Sequence, residues 1–255
     1  MTKIPEHGTS PESTTPENEF NVTRRAALYC GVAGGSLSVA GCLDRGSGSA
    51  GTSEAEIDDQ MQKRALDTGL AARKSVVRVE SATGWLIKED VVLTCSHVID
   101  SDTAELETFE GKTIEGRVLG EHENVDLALV EAKGTNHDPL TLDVSFEATS
   151  ESNIPLVQIG HPTAIGSWVI SYGSFDRPHD SGFLADIPCG PGSSGSPLLT
   201  LSGKVVGFIM GTTVSVDDPS DEHQPETVFT DFPGQRLLGR AADPETIRKC
   251  VDHLI

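Results

Sequence analysis

Three short motifs between residues 94 and 197 carry the residue types of a nucleophilic catalytic site. His97 ends the segment TCSH, Asp126 lies in VDLAL and Ser194 lies in GPGSSGSP. A serine hydroxyl has a pKa far above neutrality, so it needs an imidazole to take its proton and a carboxylate to orient that imidazole. Each motif alone fits a turn or a structural residue. Together they predict a triad of His97, Asp126 and Ser194.

The order of these residues along the chain restricts the fold. Known serine triads run His-Asp-Ser, Asp-His-Ser or Ser-Asp-His on three unrelated folds, and only the first order fits here. The nucleophile elbow of the third fold also needs Gly two residues before and two residues after the serine. Neither Ser193 nor Ser194 has both glycines. An α/β-hydrolase fold is therefore disfavoured.

From about residue 75 onward, the chain resembles the trypsin-like (chymotrypsin-fold) serine proteases, and more closely their HtrA/Deg branch. The resemblance rests on the segments GWLI, VLTCSHVI, DLAL, IGHP, GSSGSPL and GKVVG, which occur in the family's order. It implies an all-β fold of two six-stranded antiparallel β-barrels with a C-terminal helix. Ser196 departs from the family's usual Gly, and Cys95 from its common Asn or Ala. We expect neither departure to abolish activity.

The resemblance also implies a role for each candidate residue. Ser194 is expected to be the nucleophile that forms an acyl-enzyme, His97 the general base and then acid, and Asp126 the orienting carboxylate. The backbone N–H groups of Gly192 and Ser194 are expected to form the oxyanion hole. Gly at position 192 allows the peptide unit to turn its N–H toward the developing oxyanion, which a side chain would hinder. No cofactor or metal is implied.

The primary substrate pocket is also placed by the resemblance. None of its expected residues is charged, so cleavage after Lys or Arg is disfavoured and cleavage after small or medium apolar residues is expected. Asp186 lies close to these residues in the sequence, so a charged contribution of Asp186 to the pocket stays an alternative. The expected pocket residues are Pro188, Cys189, Met210, Gly211 and Thr212.

Short β-branched or alternating apolar runs recur along the chain and are separated by Gly, Pro, Asn and Asp. This pattern is typical of an all-β sandwich or barrel. The predicted strands cover residues 76–79, 85–87, 91–94, 113–119, 127–130, 156–159, 168–172, 197–201 and 204–210.

Two helices are expected at the ends of this β-rich body. The first covers about residues 57–73. The second begins after Asp243, an N-cap residue followed by Pro244, and places Ile247, Val251 and Leu254 on one face. In the HtrA branch a PDZ domain follows a similar helix, whereas this sequence stops at Ile255. We therefore expect a single protease domain over residues 57–255.

The N-terminal segment predicts an export signal. Arg24 and Arg25 precede a Gly-rich apolar run that ends in VAGC at Cys42. The run is shorter than the roughly 20 residues of a spanning helix, and its glycines disfavour a buried helix. It fits a twin-arginine signal peptide with a lipobox over residues 1–41. Lipidation of Cys42 would tether the protein to the outer face of the cytoplasmic membrane, with residues 42–56 as a flexible acidic Gly/Ser linker.

The chain is strongly acidic, with 19 Lys and Arg against 39 Asp and Glu and a formal net charge of -20. A nucleic-acid partner is disfavoured because binding phosphate requires a basic patch. Together with the export signal, this acidity resembles exported proteins of salt-loving archaea, whose carboxylates keep the fold soluble while salt screens their repulsion. An ordinary acidic surface is the alternative.

The cysteines do not form a metal-binding pattern. Cys30 is expected to leave with the signal and Cys42 to carry lipid, so Cys95, Cys189 and Cys250 remain. A disulfide between two of them is an alternative in an oxidising exterior, but we expect buried free thiols. Their scattered spacing disfavours a zinc site.

These observations predict a serine endopeptidase that acts on protein or peptide substrates, and the branch resemblance suggests protein quality control. An inactive protease-fold binding or chaperone-like protein is the alternative from another class, and an esterase is the enzymatic alternative. The acidic, Pro-containing loop over residues 214–227 is a candidate cover for the cleft.

Overall fold

A computed structural model describes residues 54–147, 149, 153–163, 166–179, 182–213 and 238–255. All of these residues belong to one unit, Ala50–Ile255. The predicted signal peptide, Cys42, most of the predicted linker and the candidate cover loop lie outside the described residues. Among the described residues, no helix combines the length and the apolar character needed to cross a membrane.

The first half of the described chain forms a closed antiparallel barrel with the strand order β1-β2-β3-β6-β5-β4. Buried and exposed side chains alternate along residues 103–106 and 113–117, as the two-residue period of a strand requires, whereas residues 82–86 and 127–130 are buried on both faces. Inside the barrel lie mainly branched aliphatic residues, including Val79, Leu86 and Leu106. The strands are β1 (Val76–Val79), β2 (Ala82–Lys88), β3 (Val91–Thr94), β4 (Thr103–Glu107), β5 (Thr113–His122) and β6 (Leu127–Glu131).

The second half forms another closed antiparallel barrel, with the strand order β10-β11-β12-β9-β8-β7. Its interior is filled by larger side chains, among them Phe175, Phe183 and Leu198. The prediction of two six-stranded antiparallel barrels is confirmed. The strands are β7 (Pro155–Gly160), β8 (Val169–His179), β9 (Gly182–Asp186), β10 (Pro197–Thr200), β11 (Val205–Thr213) and β12 (Leu238–Ala242).

Two helices flank the barrels. Helix α1 covers Glu54–Ala72, so it begins three residues before the predicted start and ends one residue before the predicted end. Helix α2 covers Pro244–Leu254 and is capped by Asp243, whose Oδ1 accepts the Thr246 N–H at 2.8 Å. The predicted C-terminal helix and its cap are therefore confirmed.

A third apolar cluster joins the two barrels and both helices. Trp85 and Leu93 enter it from the first barrel, and Ile159 and Phe208 enter it from the second. Burial of each such side chain contributes roughly 1.5–3 kcal/mol of transfer free energy. This shared core positions the loops that follow β3 and precede β10, and those loops carry two of the candidate residues.

Candidate active site

Strand pairing in the first barrel brings His97 and Asp126 side by side. Thr94 pairs with Ala128 where β3 and β6 run antiparallel. The same antiparallel register places Ser96, two residues after Thr94, opposite Asp126, two residues before Ala128. His97 follows in the short 3-10 turn Ser96–Val98. The pairing of two short strands therefore positions half of the site.

Hydrogen bonds connect the three candidate side chains in a line. Oδ2 of Asp126 lies 2.7 Å from Nδ1 of His97, and Nε2 of His97 lies 3.1 Å from Oγ of Ser194. The other carboxylate oxygen, Oδ1, accepts the backbone N–H of His97 and the hydroxyl of Ser96, each at 3.0 Å. With Nδ1 donating to the carboxylate, Nε2 is left to accept the Ser194 proton.

The two adjacent serines differ in their surroundings. Ser193 is buried, and its Oγ accepts the N–H of Gly190 at 3.2 Å. Ser194 is half-buried and directs its Oγ to His97. The geometry therefore separates a serine that stabilises the turn from a serine that contacts the imidazole.

In the backbone of residues 190–196, two N–H groups have no acceptor among the described residues. The N–H of Ser193 donates to Gly190 O at 2.9 Å, that of Gly195 to Ile209 O at 2.7 Å, and that of Ser196 to Ser193 O at 3.0 Å. No described residue accepts a hydrogen bond from the N–H of Gly192 or Ser194. Gly192 and Ser194 are both half-buried, so a substrate can reach these two N–H groups, and their place beside Ser194 Oγ suits them to bind a developing oxyanion.

Two glycines in this loop have conformations that other residues rarely adopt. Gly192 has φ +89°, and a Cβ there would lie 2.2 Å from the carbonyl oxygen of His161. Gly195 has φ +83°, and a Cβ there would lie 1.9 Å from the carbonyl oxygen of Thr83. Both positions exclude a side chain by conformation and by close backbone contact.

Cys95 lies next to the triad and is fully buried, and its Sγ donates to Ile209 O at 3.3 Å. Burial, with a further contribution from Asp126, raises the pKa of this thiol well above its usual value. Ligand atoms of Cys95, His97 and Asp126 lie within 4.8 Å of one another. His97 Nδ1 and Asp126 Oδ2 are already hydrogen-bonded to each other, and Cys95 Sγ donates to a carbonyl, so the arrangement fits a protonated thiol behind a His-Asp pair.

The residues expected to form the substrate pocket are only partly exposed. Cys189 is buried, and burial, aided by the charge of Asp186, raises its pKa to about 12. Met210 is 5% exposed and packs in the cluster between the barrels. Pro188, Gly211 and Thr212 are half-buried. Cys95, Cys189 and Cys250 are all free thiols.

Sequence reasoning missed Gly239, which lies against the expected pocket. It pairs with Thr212 across β11 and β12. A Cβ at Gly239 would lie 3.4 Å from Cys189 Sγ and 2.7 Å from a methyl carbon of Ile209. A glycine within a strand is itself a signal of close packing, but residue 239 lies in a strand that sequence reasoning did not predict.

His161 lies behind the loop of Ser194 and is 4% exposed. Its Nδ1 accepts the N–H of Trp168 at 3.3 Å. Burial lowers the pKa of His161 to about 4, and the nearby Val77 carbonyl offsets this only in part. His161 is therefore neutral at physiological pH.

Known proteins with similar sequences include serine proteases. Residues 82–208 match the trypsin-like peptidase domain. The chain is 26% identical over 150 residues to a probable periplasmic serine endoprotease, DegP-like, of Pseudomonas putida (strain GB-1). It is 24% identical over 165 residues to the putative serine protease HhoB of Synechocystis. These alignments cover 49% and 54% of this chain but only 28% and 35% of the relatives.

Among solved structures, the serine endoprotease from Yersinia pestis superposes with a TM-score of 0.58 at 20% identity. The superposition covers 76% of this chain and 66% of that one. At this level of identity, the likeness establishes the two-barrel fold.

Proposed function

We propose that this trypsin-like serine protease cleaves internal peptide bonds of proteins with Ser194 as nucleophile, His97 as general base and acid, and Asp126 as orienting carboxylate. The observation that carries the proposal is the continuous hydrogen-bonded line from Asp126 through His97 to Ser194, with contacts of 2.7 and 3.1 Å. The serine endoprotease and serine protease to which the chain is similar support the same activity.

The reaction follows from which atoms face one another. Nε2 of His97 takes the hydroxyl proton of Ser194 as Oγ attacks the substrate carbonyl carbon, and Asp126 stabilises the imidazolium that forms. The N–H groups of Gly192 and Ser194 bind the oxyanion. The intermediate collapses when His97 protonates the leaving amine, which leaves an acyl-enzyme. Water, deprotonated by His97, then attacks the ester carbonyl and forms a second tetrahedral intermediate. When this intermediate collapses, the acid product leaves and His97 returns the proton to Ser194 Oγ.

The pocket supports a preference for small or medium apolar residues before the cleaved bond. Cys189 contributes a neutral thiol because burial holds its pKa at about 12. The thiol of Cys189, Gly211 and Gly239 bring no charge to a Lys or Arg side chain, so an acidic contact would have to come from Asp186, whose charge acts on Cys189. Cleavage of a peptide library only after basic residues would contradict this specificity.

We propose that the protein is exported by the twin-arginine route and anchored by a lipid at Cys42. There it would cleave exported proteins as part of protein quality control. The motif at Arg24 and Arg25, the lipobox before Cys42 and the word "periplasmic" in a relative's description support this proposal. The net charge of -20 supports a saline exterior. Retention in the membrane fraction that is lost in Cys42→Ala would agree with it, whereas equal partition of both forms would contradict it.

The activity is tested by following casein hydrolysis in molar salt with the full chain and with Ser194→Ala. Ser202→Ala is the matched control, because Ser202 is an exposed serine in the turn between β10 and β11. We expect hydrolysis by the wild type and by Ser202→Ala, and its loss in Ser194→Ala. A folded wild type that hydrolyses neither casein nor peptide esters would instead indicate a protease-fold binding or chaperone-like protein. Hydrolysis of esters alone would indicate an esterase.

A further inference from the structure

Thr83, in β2 of the first barrel, uses its polar groups to hold the loop of Ser194 in the second barrel. Its side chain is fully buried. Its backbone N–H donates to Ser194 O at 2.9 Å, and its hydroxyl donates to Gly192 O, also at 2.9 Å. The same hydroxyl oxygen accepts the N–H of His161 at 3.0 Å. One residue therefore binds the carbonyls of both residues whose N–H groups are free.

These contacts restrict the direction of the two free N–H groups. The peptide plane before Gly192 is held by the Thr163 N–H, which donates to Pro191 O at 2.9 Å. The plane after Gly192 is held through Gly192 O by Thr83. The Gly192 N–H lies in the first of these planes, so the Thr163 contact holds it directly. The Thr83 contact holds the second plane and therefore restricts the torsions of Gly192, which join the two planes.

Ser194 is held in the same way. The plane before it has its carbonyl, Ser193 O, bonded to the Ser196 N–H at 3.0 Å, and the plane after it is bonded to Thr83 through Ser194 O. A loop held on both sides of each donor is preorganised, and a preorganised donor stabilises an oxyanion without further rearrangement.

Thr83 also connects the two halves of the candidate site. Its carbonyl accepts the hydroxyl of Thr94 at 2.7 Å, and Thr94 is the last residue of β3, three residues before His97. The strand that leads to the imidazole and the loop that carries the nucleophile therefore share one buried residue.

We propose that Thr83 is a positioning residue that sets the oxyanion hole through the carbonyls of Gly192 and Ser194. This inference rests on the proposed function, since it assumes that Ser194 attacks a carbonyl carbon. Replacing the hydroxyl with a methyl group in Thr83→Val preserves shape but leaves Gly192 O and the His161 N–H without their partner. Thr83→Ser keeps the hydroxyl.

The test compares four full-chain proteins, namely the wild type, Thr83→Val, Thr83→Ser and Thr108→Val. Thr108 is the matched control because it is a buried threonine near β4 of the same barrel, and its Oγ1 accepts only the Lys112 N–H, at 3.2 Å, among the described residues. For each protein we would measure kcat and KM on an apolar peptide substrate and the inhibition constant of a peptide boronate, which imitates the tetrahedral intermediate. Thermal unfolding would establish that each protein is folded at the assay temperature.

We expect Thr83→Val to lower kcat by roughly 10- to 100-fold, a smaller loss than removal of a donor itself causes, while KM changes little. Boronate affinity is expected to weaken by a similar factor, because both quantities report binding of the tetrahedral species. Thr83→Ser should stay within about threefold of the wild type. Thr108→Val should lose stability but keep its kcat and its boronate affinity.

A folded Thr83→Val with the kcat and boronate affinity of the wild type would overturn the proposal. So would a loss of kcat that boronate affinity does not follow, since that pattern indicates a structural role. If Thr83→Val does not fold, Thr83→Ala takes its place under the same criteria, because the smaller side chain leaves room for a water at Gly192 O. An inactive wild type would instead refute the proposed function, so the two failures are distinguishable.

Discussion

Asp126 binds His97 at two points, through Oδ2 to the ring Nδ1 at 2.7 Å and through Oδ1 to the backbone N–H at 3.0 Å. The first contact selects the imidazole tautomer, and the second fixes the turn on which the ring stands. Asp126 itself has φ +53°, a left-handed conformation that Asp adopts more readily than most residues. The carboxylate therefore determines both the position and the protonation pattern of the base.

The first prediction follows from this contact. In Asp126→Asn, the amide would present an N–H to Nδ1 and favour the tautomer that carries its proton on Nε2, which cannot accept the Ser194 proton. We expect kcat to fall by about 10⁴-fold with little loss of folding stability. Asp100→Asn, an exposed aspartate three residues after His97, should keep its activity. Equal activity of the two variants would contradict the assigned role of Asp126.

A second prediction uses two glycines whose φ angles are nearly equal. Gly192 has φ +89° and Gly203 has φ +81°, but a Cβ at Gly203 would meet nothing within 4 Å. Gly203→Ala should therefore cost only the conformational strain, roughly 1 kcal/mol of unfolding free energy, and should stay active. Gly192→Ala adds a 2.2 Å clash with His161 O and should lose at least 100-fold in kcat. Parallel denaturant unfolding and peptide hydrolysis measure both effects, and similar losses at the two positions would argue against a special role for Gly192.

A third prediction concerns Ser196, which stands where the resembled family usually has Gly. Its side chain is fully buried, and its Oγ has no hydrogen-bond partner among the described residues. A buried hydroxyl without a partner carries a desolvation penalty. Ser196→Ala should therefore raise the unfolding free energy, by about 1 kcal/mol, and leave kcat unchanged. A lower denaturation midpoint for the variant would show that the hydroxyl is stabilising.

The fourth prediction is a pH dependence of stability. The pKa of His161 is lowered from its usual 6.5 to about 4 by burial. Between these two pH values the unfolded chain binds a proton that the folded protein does not, so stability falls as the pH is lowered through this window. The loss amounts to about 3 kcal/mol by pH 4.

The fourth prediction is checked with His161→Asn, in which the side-chain oxygen can replace Nδ1 as acceptor for the Trp168 N–H but does not titrate. Unfolding free energies of both proteins would be measured by urea titration from pH 7 to pH 4. The wild type should lose stability relative to the variant as the pH falls. A difference that stays constant with pH would mean that His161 does not titrate as proposed.

Much of the fold could be predicted from the sequence because β-branched runs mark strands directly. The predicted bounds of β1 and β3 agree with the structure, and seven further strands were predicted with shifted ends. β4, β9 and β12 were missed. In β4 only Ala104 and Leu106 face inward between exposed polar residues, and β12 combines Gly239 with Arg240 and two alanines. These strands are stabilised by pairing with their neighbours rather than by their own composition.

The candidate site was predictable where chemistry is carried by side chains in recognisable motifs, as at His97 and Ser194. The contacts that hold the loop of Ser194 could not be predicted, because Thr83 lies 109 residues from Gly192 along the chain. In the sequence, Thr83 is only a small polar residue in a strand, and nothing in the strand pattern indicates its partners. Ser96 was missed for the same reason, because its role depends on a contact with the side chain of Asp126, thirty residues away.

The most direct test of the central claim is to treat the folded full chain in molar salt with a fluorophosphonate and to locate the adduct by peptide mapping. We predict one adduct per chain, on Ser194, and none in Ser194→Ala. Absence of labelling in a folded sample, or an adduct on Ser193 instead, would contradict the assignment of Ser194 as the activated nucleophile.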